Sequence, residues 1–333
     1  MIEIKNLLKC YGENVAVNNI SFSVDKGEIL GFLGPNGAGK STTMNILTGY
    51  MSYTEGSVMI DGIDMLKNPI DCKKRIGYLP EQPPLYVDMT VNEYLDFVCD
   101  IKSVKEDKKQ HILDVLEMVG IIDVNDRLIK NLSKGYKQRV GIAQALIGNP
   151  EILILDEPTV GLDPKQIIEI RNLIKTLGKN RTVILSSHIL SEISAICERV
   201  IIINNGEIVA VDTPENLGKS ISSNKRFVVT SDADADKVKS IIDAIDGVVN
   251  VEVINGKADG ETDFMVEAQR DVRKDITSSL AKEGLSILMI AEDELSLEDI
   301  FLELTDEGEK EFEFDKVEEL IANENTIDEE GNE

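Results

Sequence analysis

The run Gly34-Pro35-Asn36-Gly37-Ala38-Gly39-Lys40-Ser41 places glycines, one lysine and one hydroxyl in the spacing G-x-x-x-x-G-K-[ST]. Glycines let a backbone curl until successive N–H groups point inward at an anion. The lysine of such a loop can reach the β- and γ-phosphates of a nucleotide, and the hydroxyl after it can sit on Mg2+. Ile29-Leu30-Gly31-Phe32-Leu33 precedes the run and reads as a strand; Ser41 to about Leu47 follows and reads as a helix. A helix N-terminus adds partial positive charge at the same place. This context separates the motif from a glycine turn that merely caps a helix. It predicts a nucleoside triphosphate site built from Gly34, Pro35, Asn36, Gly37, Ala38, Gly39, Lys40, Ser41 and the adjoining Thr42.

Ile152-Leu153-Ile154-Leu155-Asp156-Glu157 is an apolar run ending in two carboxylates. Asp156 at a strand tip can hold Mg2+ directly or through water. Glu157 then stands where it can orient or deprotonate an attacking water. Alone, such a strand end is ordinary; beside a phosphate loop, the catalytic reading is preferred. Leu132-Ser133-Lys134-Gly135-Tyr136 opens a helix to about Leu146, with Ser133 as N-cap. Those residues fit a plain capped helix. They also fit a second anion site, in which Gly135 permits close approach.

The elements that position these groups are legible along residues 1–217. Short apolar runs, including Val183-Ile184-Leu185, read as buried parallel strands, and helices alternate with them, the pattern of an α/β layer fold. Thr90-Val91-Asn92-Glu93 is a capping box opening a helix through about Cys99. A second helix spans about Glu106 to Val119 and stops at Gly120. Asp163 is an N-cap with Pro164 at the first helical position, and Gly178 ends that helix. Turn-forming residues cluster at 213–225, where a domain boundary is expected. Beyond it the pattern is βαββαβ, with strands near 227–231, 249–254, 263–268 and 285–291 and helices near 235–246 and 271–283. That is a split-βαβ, ferredoxin-like plan over 225–305, closed by a short helix at Leu297–Leu304. Residues 306–333 are acidic and poor in core formers, so a disordered tail or loosely held amphipathic helix is expected.

The chain of 333 residues carries a net charge of −26. Residues 1–220 hold 24 Lys/Arg against 29 Asp/Glu, a net −5; residues 221–305 hold 9 against 19, a net −10; residues 306–333 hold 2 against 13, a net −11. Bulk acidity repels a phosphate backbone, so no nucleic-acid partner is expected, while the nearly balanced first segment can still bind a nucleotide. Four scattered cysteines without a C-x-x-C pair fit a reducing cytoplasm. No apolar run approaches the ~18 residues that span a bilayer, and the first residues read as a strand and not as a signal peptide.

In this order the motifs resemble the ATP-binding subunits of ABC transporters. The shared elements are the phosphate loop at 34–42, Leu-Ser-Lys-Gly-Tyr at 132–136, the Asp-Glu strand end, Gly161-Leu162-Asp163-Pro164 (the D-loop) and His188 after Val183-Ile184-Leu185-Ser186-Ser187. The resemblance covers residues 1 to about 217, with a helical subdomain at about 87–150. Within the family the chain is most similar to the ABC-2-type exporter group, including gliding-motility-type ATPases. Tyr78-Leu79-Pro80-Glu81 and the C-terminal run Leu297-Glu298-Asp299-Ile300-Phe301-Leu302-Glu303-Leu304-Thr305 carry that likeness.

The resemblance implies an ATPase that closes head to tail with a second nucleotide-binding subunit, a homodimer being the simplest form. Each ATP would lie between one phosphate loop and the partner's signature, Leu132, Ser133, Lys134, Gly135 and Tyr136. His188 would contact the γ-phosphate, and Asp163 would couple the two sites. Tyr11 would stack on adenine, or is a plain strand-end aromatic. His111 is read as an ordinary residue on a helix surface. The commoner signature is Leu-Ser-Gly-Gly-Gln, so Lys134 and Tyr136 depart from it; Lys134 either adds charge near phosphate or faces solvent. Metal ligands would be Ser41, Asp156 and either Glu81 or Gln82. A separate integral membrane permease subunit is implied, with residues 87–130 as the contact surface, and with this chain cytoplasmic on the inner face of the membrane. Weighed against export were an importer ATPase and a soluble ATP-dependent switch on DNA or ribosomes. The C-terminal domain reads as a regulatory or dimer-stabilising module, or as a passive appendage.

Overall fold

The computed structural model describes residues 1–105, 107–220, 225–256 and 261–292. The chain divides into two compact units, the first over Met1–Pro214 and the second beginning at Glu215. The expected closing helix at 297–304 and the acidic tail at 306–333 lie outside the described residues.

The first unit opens with β1 (Ile2–Tyr11), β2 (Asn14–Val24), β3 (Ile29–Leu33) and α1 (Lys40–Leu47). It continues through β4 (Glu55–Ile60), β5 (Ile63–Asp64), α2 (Pro69–Arg75) and β6 (Ile76–Leu79). Three helices follow: α3 (Val91–Ile101), α4 (Lys108–Val119) and α5 (Lys134–Leu146). The unit then returns through β7 (Ile152–Asp156), α6 (Pro164–Gly178), β8 (Thr182–Ser187), α7 (Leu190–Ser194), β9 (Arg199–Asn204) and β10 (Glu207–Asp212).

Two sheets result. One is antiparallel, in the order β2-β1-β4-β5. The other has six strands in the order β10-β9-β3-β8-β7-β6, and all its pairs are parallel except β10 with β9. Every residue of β3, β7 and β8 is buried, as expected of strands covered on both faces, whereas edge strand β10 alternates between half-buried and exposed. One apolar cluster joins Ile4, Leu7 and Val58 of the antiparallel sheet to Phe32, Ile154 and Ile201 of the parallel one, with Met44 and Ile46 of α1 in it. The phosphate-loop helix is therefore anchored in the core through its apolar face.

The strand order places the chemistry. β8 lies between β3 and β7, with Ser187 opposite Leu33 and Ser186 opposite Asp156. The C-terminal tips of three adjacent parallel strands thus deliver the phosphate loop, the Asp156-Glu157 pair and His188 to one edge of the sheet. Ligands of open α/β sheets bind at such carboxyl ends.

Helix ends follow local chemistry. Thr90 Oγ1 accepts from Glu93 N–H at 3.2 Å, and the Glu93 carboxylate accepts from Thr90 N–H at 2.8 Å, so α3 has its full capping box. It continues two residues past the expected end. Helix α4 starts at Lys108, because the Asp107 side chain caps it by accepting from Lys109 and Gln110 N–H. His111 is not on a helix surface as expected. It is buried, and its Nε2 accepts from Gly148 N–H at 3.0 Å.

The boundary falls at the first residue of α8 (Pro214–Ser220), and the second unit goes on through β11 (Lys225–Ser231), α9 (Ala235–Asp243), β12 (Val248–Gly256), β13 (Thr262–Ala268), α10 (Arg273–Lys282) and β14 (Met289–Glu292). Its sheet runs β12-β13-β11-β14 with every pair antiparallel. Phe227, Val229, Phe264 and Val266 of that sheet pack with Val238 and Ile242 of α9 and Ile276 and Leu280 of α10. The last strand begins at Met289 and not at 285. Leu285 N–H is spent on Leu280 C=O, closing the end of α10, so the apolar run starts as a turn.

Candidate functional site: a phosphate-loop cavity

A cavity of about 350 Å3 opens at the strand tips, lined by Asn36, Gly37, Gly39, Lys40, Ser41, Thr42, Glu81, Glu157, Val160 and His188. Its floor is the turn between β3 and α1. Gly39 stands before the helix at φ +102°, and a Cβ there would meet Ala16 O at 2.6 Å, so no other residue fits without moving backbone. No acidic side chain occupies the first turn of α1, which leaves its N–H groups facing the cavity uncompensated.

Lys40 is 5% exposed. Its ammonium donates to Gly34 O at 2.7 Å and Pro35 O at 3.1 Å, and lies 3.5 Å from Glu157 Oε1. Asp156, 2% exposed, accepts from Ser186 Oγ at 2.5 Å, and the same Ser186 oxygen accepts from Glu157 N–H at 3.0 Å. One buried hydroxyl therefore fixes both carboxylate residues. Glu157 Oε2 and His188 Nδ1 are 2.9 Å apart. The cavity thus holds a cation, a carboxylate and an imidazole in one chain of contacts.

A neighbouring cavity of about 670 Å3 shares Ser41 and Glu81 and adds Asn45, Tyr78, Gln82, Gln144 and Asp156 to its lining. Ser41 and Glu81 line both spaces, while Gln82 lines only the larger. Burial and nearby Asp156 push the Tyr78 hydroxyl up, and it donates to Asn45 Oδ1 at 3.1 Å. Among the described residues no cluster of three or more His, Cys, Asp or Glu could hold a metal alone. The oxygen donors Ser41, Asp156 and Glu81 nevertheless border this joined space. Such a sparse set suits Mg2+, which takes few protein oxygens and completes its shell with water and substrate phosphates.

The signature stands apart: none of its residues lines the phosphate-loop cavity. Ser133 caps α5, its Oγ accepting from Tyr136 N–H at 3.4 Å. Leu132 is buried beneath it. Gly135 is buried too, and the Gln166 side chain lies 2.7 Å from where a Cβ would be, so a residue of the D-loop helix α6 packs on that glycine. Lys134 is exposed, with its ammonium against Gly161 of the D-loop. Tyr136 donates to Asp123 Oδ2 at 3.4 Å. Asp163 caps α6 by accepting from Gln166 N–H at 2.9 Å. Tyr11 ends β1 and is 48% exposed; its hydroxyl points at Met51 Sδ, 3.0 Å away, and the Lys9 ammonium stands 5.1 Å from the ring centre.

Sequence reasoning missed the polar groups behind the site. Ser186 is one; Gln138, whose amide donates to Pro158 O at 2.7 Å, is another. The available signal was a pair of serines closing an otherwise apolar strand, Val183-Ile184-Leu185-Ser186-Ser187.

The fold and the cavity define a nucleotide-binding α/β ATPase. The family model described as "ABC transporter" matches residues 17–160. The bacitracin transport ATP-binding protein of Bacillus licheniformis is 36% identical over 310 residues, covering 92% of this chain and 98% of the relative. The linearmycin resistance ATP-binding protein of Bacillus subtilis (strain 168) is 32% identical over 312 residues, covering 92% and 98%. An ATP-binding cassette solved as a dimer in a post-hydrolysis state with ADP and Pi is 30% identical, with a TM-score of 0.59, covering 64% of this chain and 98% of that one. The chain belongs to the family of ABC transporter ATP-binding proteins. It is an ATP-binding, ATP-hydrolysing subunit of that family, whose members dimerise and work with membrane permeases. Among the described residues no helix is long and apolar enough to cross a membrane.

Proposed function

We propose that this chain hydrolyses ATP at the cavity between Lys40, Glu157 and His188 and so powers an exporter, as a homodimer held on the inner face of the membrane by a separate permease. The observation that carries the reading is the Glu157 carboxylate. It is 2.9 Å from His188 and 3.5 Å from Lys40, in the cavity that the phosphate loop lines.

In this reading the amides around Gly37 and Gly39 and the ammonium of Lys40 bind the β- and γ-phosphates. Lys40 must leave its loop carbonyls and Glu157 to do so, which frees the carboxylate for a water. Glu157 orients that water and takes its proton, and His188 holds the carboxylate in place and reaches the γ-phosphate. Ser41, Asp156 and Glu81 would hold Mg2+, with Gln82 toward the larger cavity; the ion supplies charge neutralisation on the phosphate oxygens. Tyr11 offers an exposed ring for adenine. Ser133, Lys134 and Gly135 face the γ-phosphate bound by the other subunit, and Asp163 sets the D-loop between the two sites. The names of the relatives point to an antibiotic as cargo.

Glu157→Gln tests the reading. The amide keeps the shape but takes no proton, so ATP binding persists while turnover falls on the order of 100- to 1,000-fold and a closed dimer accumulates. Single-turnover hydrolysis and size-exclusion chromatography with ATP measure both. Turnover at the wild-type rate removes Glu157 from the catalytic role.

A further inference from the structure

Glu192, on α7, is 5% exposed, and the catalytic reading above gives it no task. Its carboxylate accepts a hydrogen bond from Thr159 Oγ1 and a longer one, 3.4 Å, from Ser187 Oγ. Thr159 is 5% exposed and follows Glu157 by two residues; Ser187 is 1% exposed and directly precedes His188. Ser187 Oγ also accepts from Ile189 N–H at 3.0 Å, so the same hydroxyl shapes the turn that carries the histidine. Glu192 is thus bonded both to the segment leaving Glu157 and to the segment entering His188.

Burying a carboxylate is costly unless its oxygens are well satisfied. Among the described residues no lysine, arginine or histidine forms an ion pair with Glu192, and its side-chain partners are the two hydroxyls. An apolar residue would fill the place at lower cost if packing were the only demand. What the carboxylate adds is an acceptor that ties two separate segments together.

The segment after Glu157 needs such a tie. Glu157 has φ +48°, the left-handed region that a non-glycine residue occupies only at a cost. Such a conformation persists only when its surroundings over-determine it. Three anchors do so here: Ser186 Oγ on Glu157 N–H, Gln138 Nε2 on Pro158 O, and Glu192 on Thr159 Oγ1. The third also bonds Ser187, the residue next to the histidine.

We infer that Glu192 is a positioning residue for hydrolysis, which holds Glu157 and His188 in register through Thr159 and Ser187. It does not line the phosphate-loop cavity and acts through those two residues. The inference rests on the catalytic reading of Glu157 and His188. Loss of the anchor lets the carboxylate and imidazole drift apart while the phosphate loop stays intact.

The test is steady-state ATPase kinetics and fluorescent-nucleotide binding on the full chain. Glu192→Ala lowers kcat on the order of 10- to 100-fold, the scale of a misplaced catalytic group. KM and nucleotide affinity stay within about twofold, because binding and chemistry separate. Glu192→Gln keeps an acceptor oxygen and restores kcat to within roughly threefold of wild type. Thr159→Val repeats the loss, and adding Glu192→Ala to it lowers kcat no further, as expected of partners in one network. Wild-type kcat in Glu192→Ala, an equal collapse in the Gln and Ala variants, or losses that multiply in the double variant would each overturn the inference. If Glu192→Ala does not fold, the isosteric Thr159→Val decides alone: unchanged kcat there overturns it. Failure of the parent reading looks different, since Glu157→Gln would then keep its turnover.

Discussion

The phosphate-loop region and the signature region belong to one unit but are finished to different degrees. Around the loop the buried charged groups have partners within the chain: Lys40 on two carbonyls and Glu157, Asp156 on Ser186, Glu157 on His188. The Lys40 and Glu157 side chains are only 6% and 7% exposed. Around the signature, Ser133 and Lys134 are exposed at the start of a helix with no acidic residue in its first turn. A lysine at a helix N-terminus adds to the positive end of the macrodipole, which favours anions there. The contrast fits the division of labour in the proposed function: one region is organised for chemistry within the chain, and the other is left open for the nucleotide proposed to come with the second subunit.

The largest expected effect breaks the first region. Lys40→Ala removes the cation that must meet the triphosphate, and nucleotide affinity falls on the order of 100-fold or more, the loss of a charge-assisted contact in a buried site. Titration with a fluorescent ATP analogue reads it. Unchanged affinity would mean that the loop amides suffice and that the ammonium serves only Glu157.

A paired substitution sharpens the comparison at the backbone. In Gly39→Ala the new Cβ meets the Ala16 carbonyl at 2.6 Å with φ at +102°, and neither can yield cheaply. The expected loss is about 1–3 kcal/mol of stability, with the loop distorted. In Gly135→Ala the obstacle is the Gln166 side chain end, which can swing away. There the loss stays under about 1 kcal/mol, and Gln166→Ala recovers it. Thermal unfolding of the variants decides; equal losses would show that the signature glycine is as backbone-constrained as the loop glycine.

Features local in the chain were legible before the fold. The capping box at Thr90 and Glu93, the N-caps Ser133 and Asp163, and the glycine-rich turn each depend on residues within a few positions of one another. Features that depend on strand order were not. Ser186 meets Asp156 only because β8 lies beside β7, and Glu192 meets Thr159 only because α7 packs against β3 and β8. His111 was legible but misjudged: with Val115 it shares the buried stripe of α4, at a spacing of four. Lys134 had two readings on composition alone, and its place against Gly161 follows from how the D-loop folds back over the signature.

The last prediction concerns how the signature helix is held at its far end, an effect that shows only at alkaline pH. Lys102 donates to the carbonyls of Gln144, Ala145 and Ile147, at 3.3, 3.3 and 2.7 Å, closing the C-terminus of α5. Burial pushes its amine down from 10.5 to about 8. Below pH 8 the lysine is protonated folded and unfolded alike. Between pH 8 and 10.5 the unfolded chain binds the proton and the folded chain has released it, so stability rises with pH across that window, by at most about 3 kcal/mol. Lys102→Met has no proton to release, and Lys102→Arg keeps its charge throughout, so both lack the rise. The difference in melting temperature between wild type and each variant, followed from pH 7 to 10, therefore shifts in favour of wild type above pH 8. A difference that stays constant with pH would show that the ammonium at the end of α5 is solvated well enough to titrate as an ordinary lysine. The signature helix would then be held by packing, and only its N-terminal end would carry charge-dependent work.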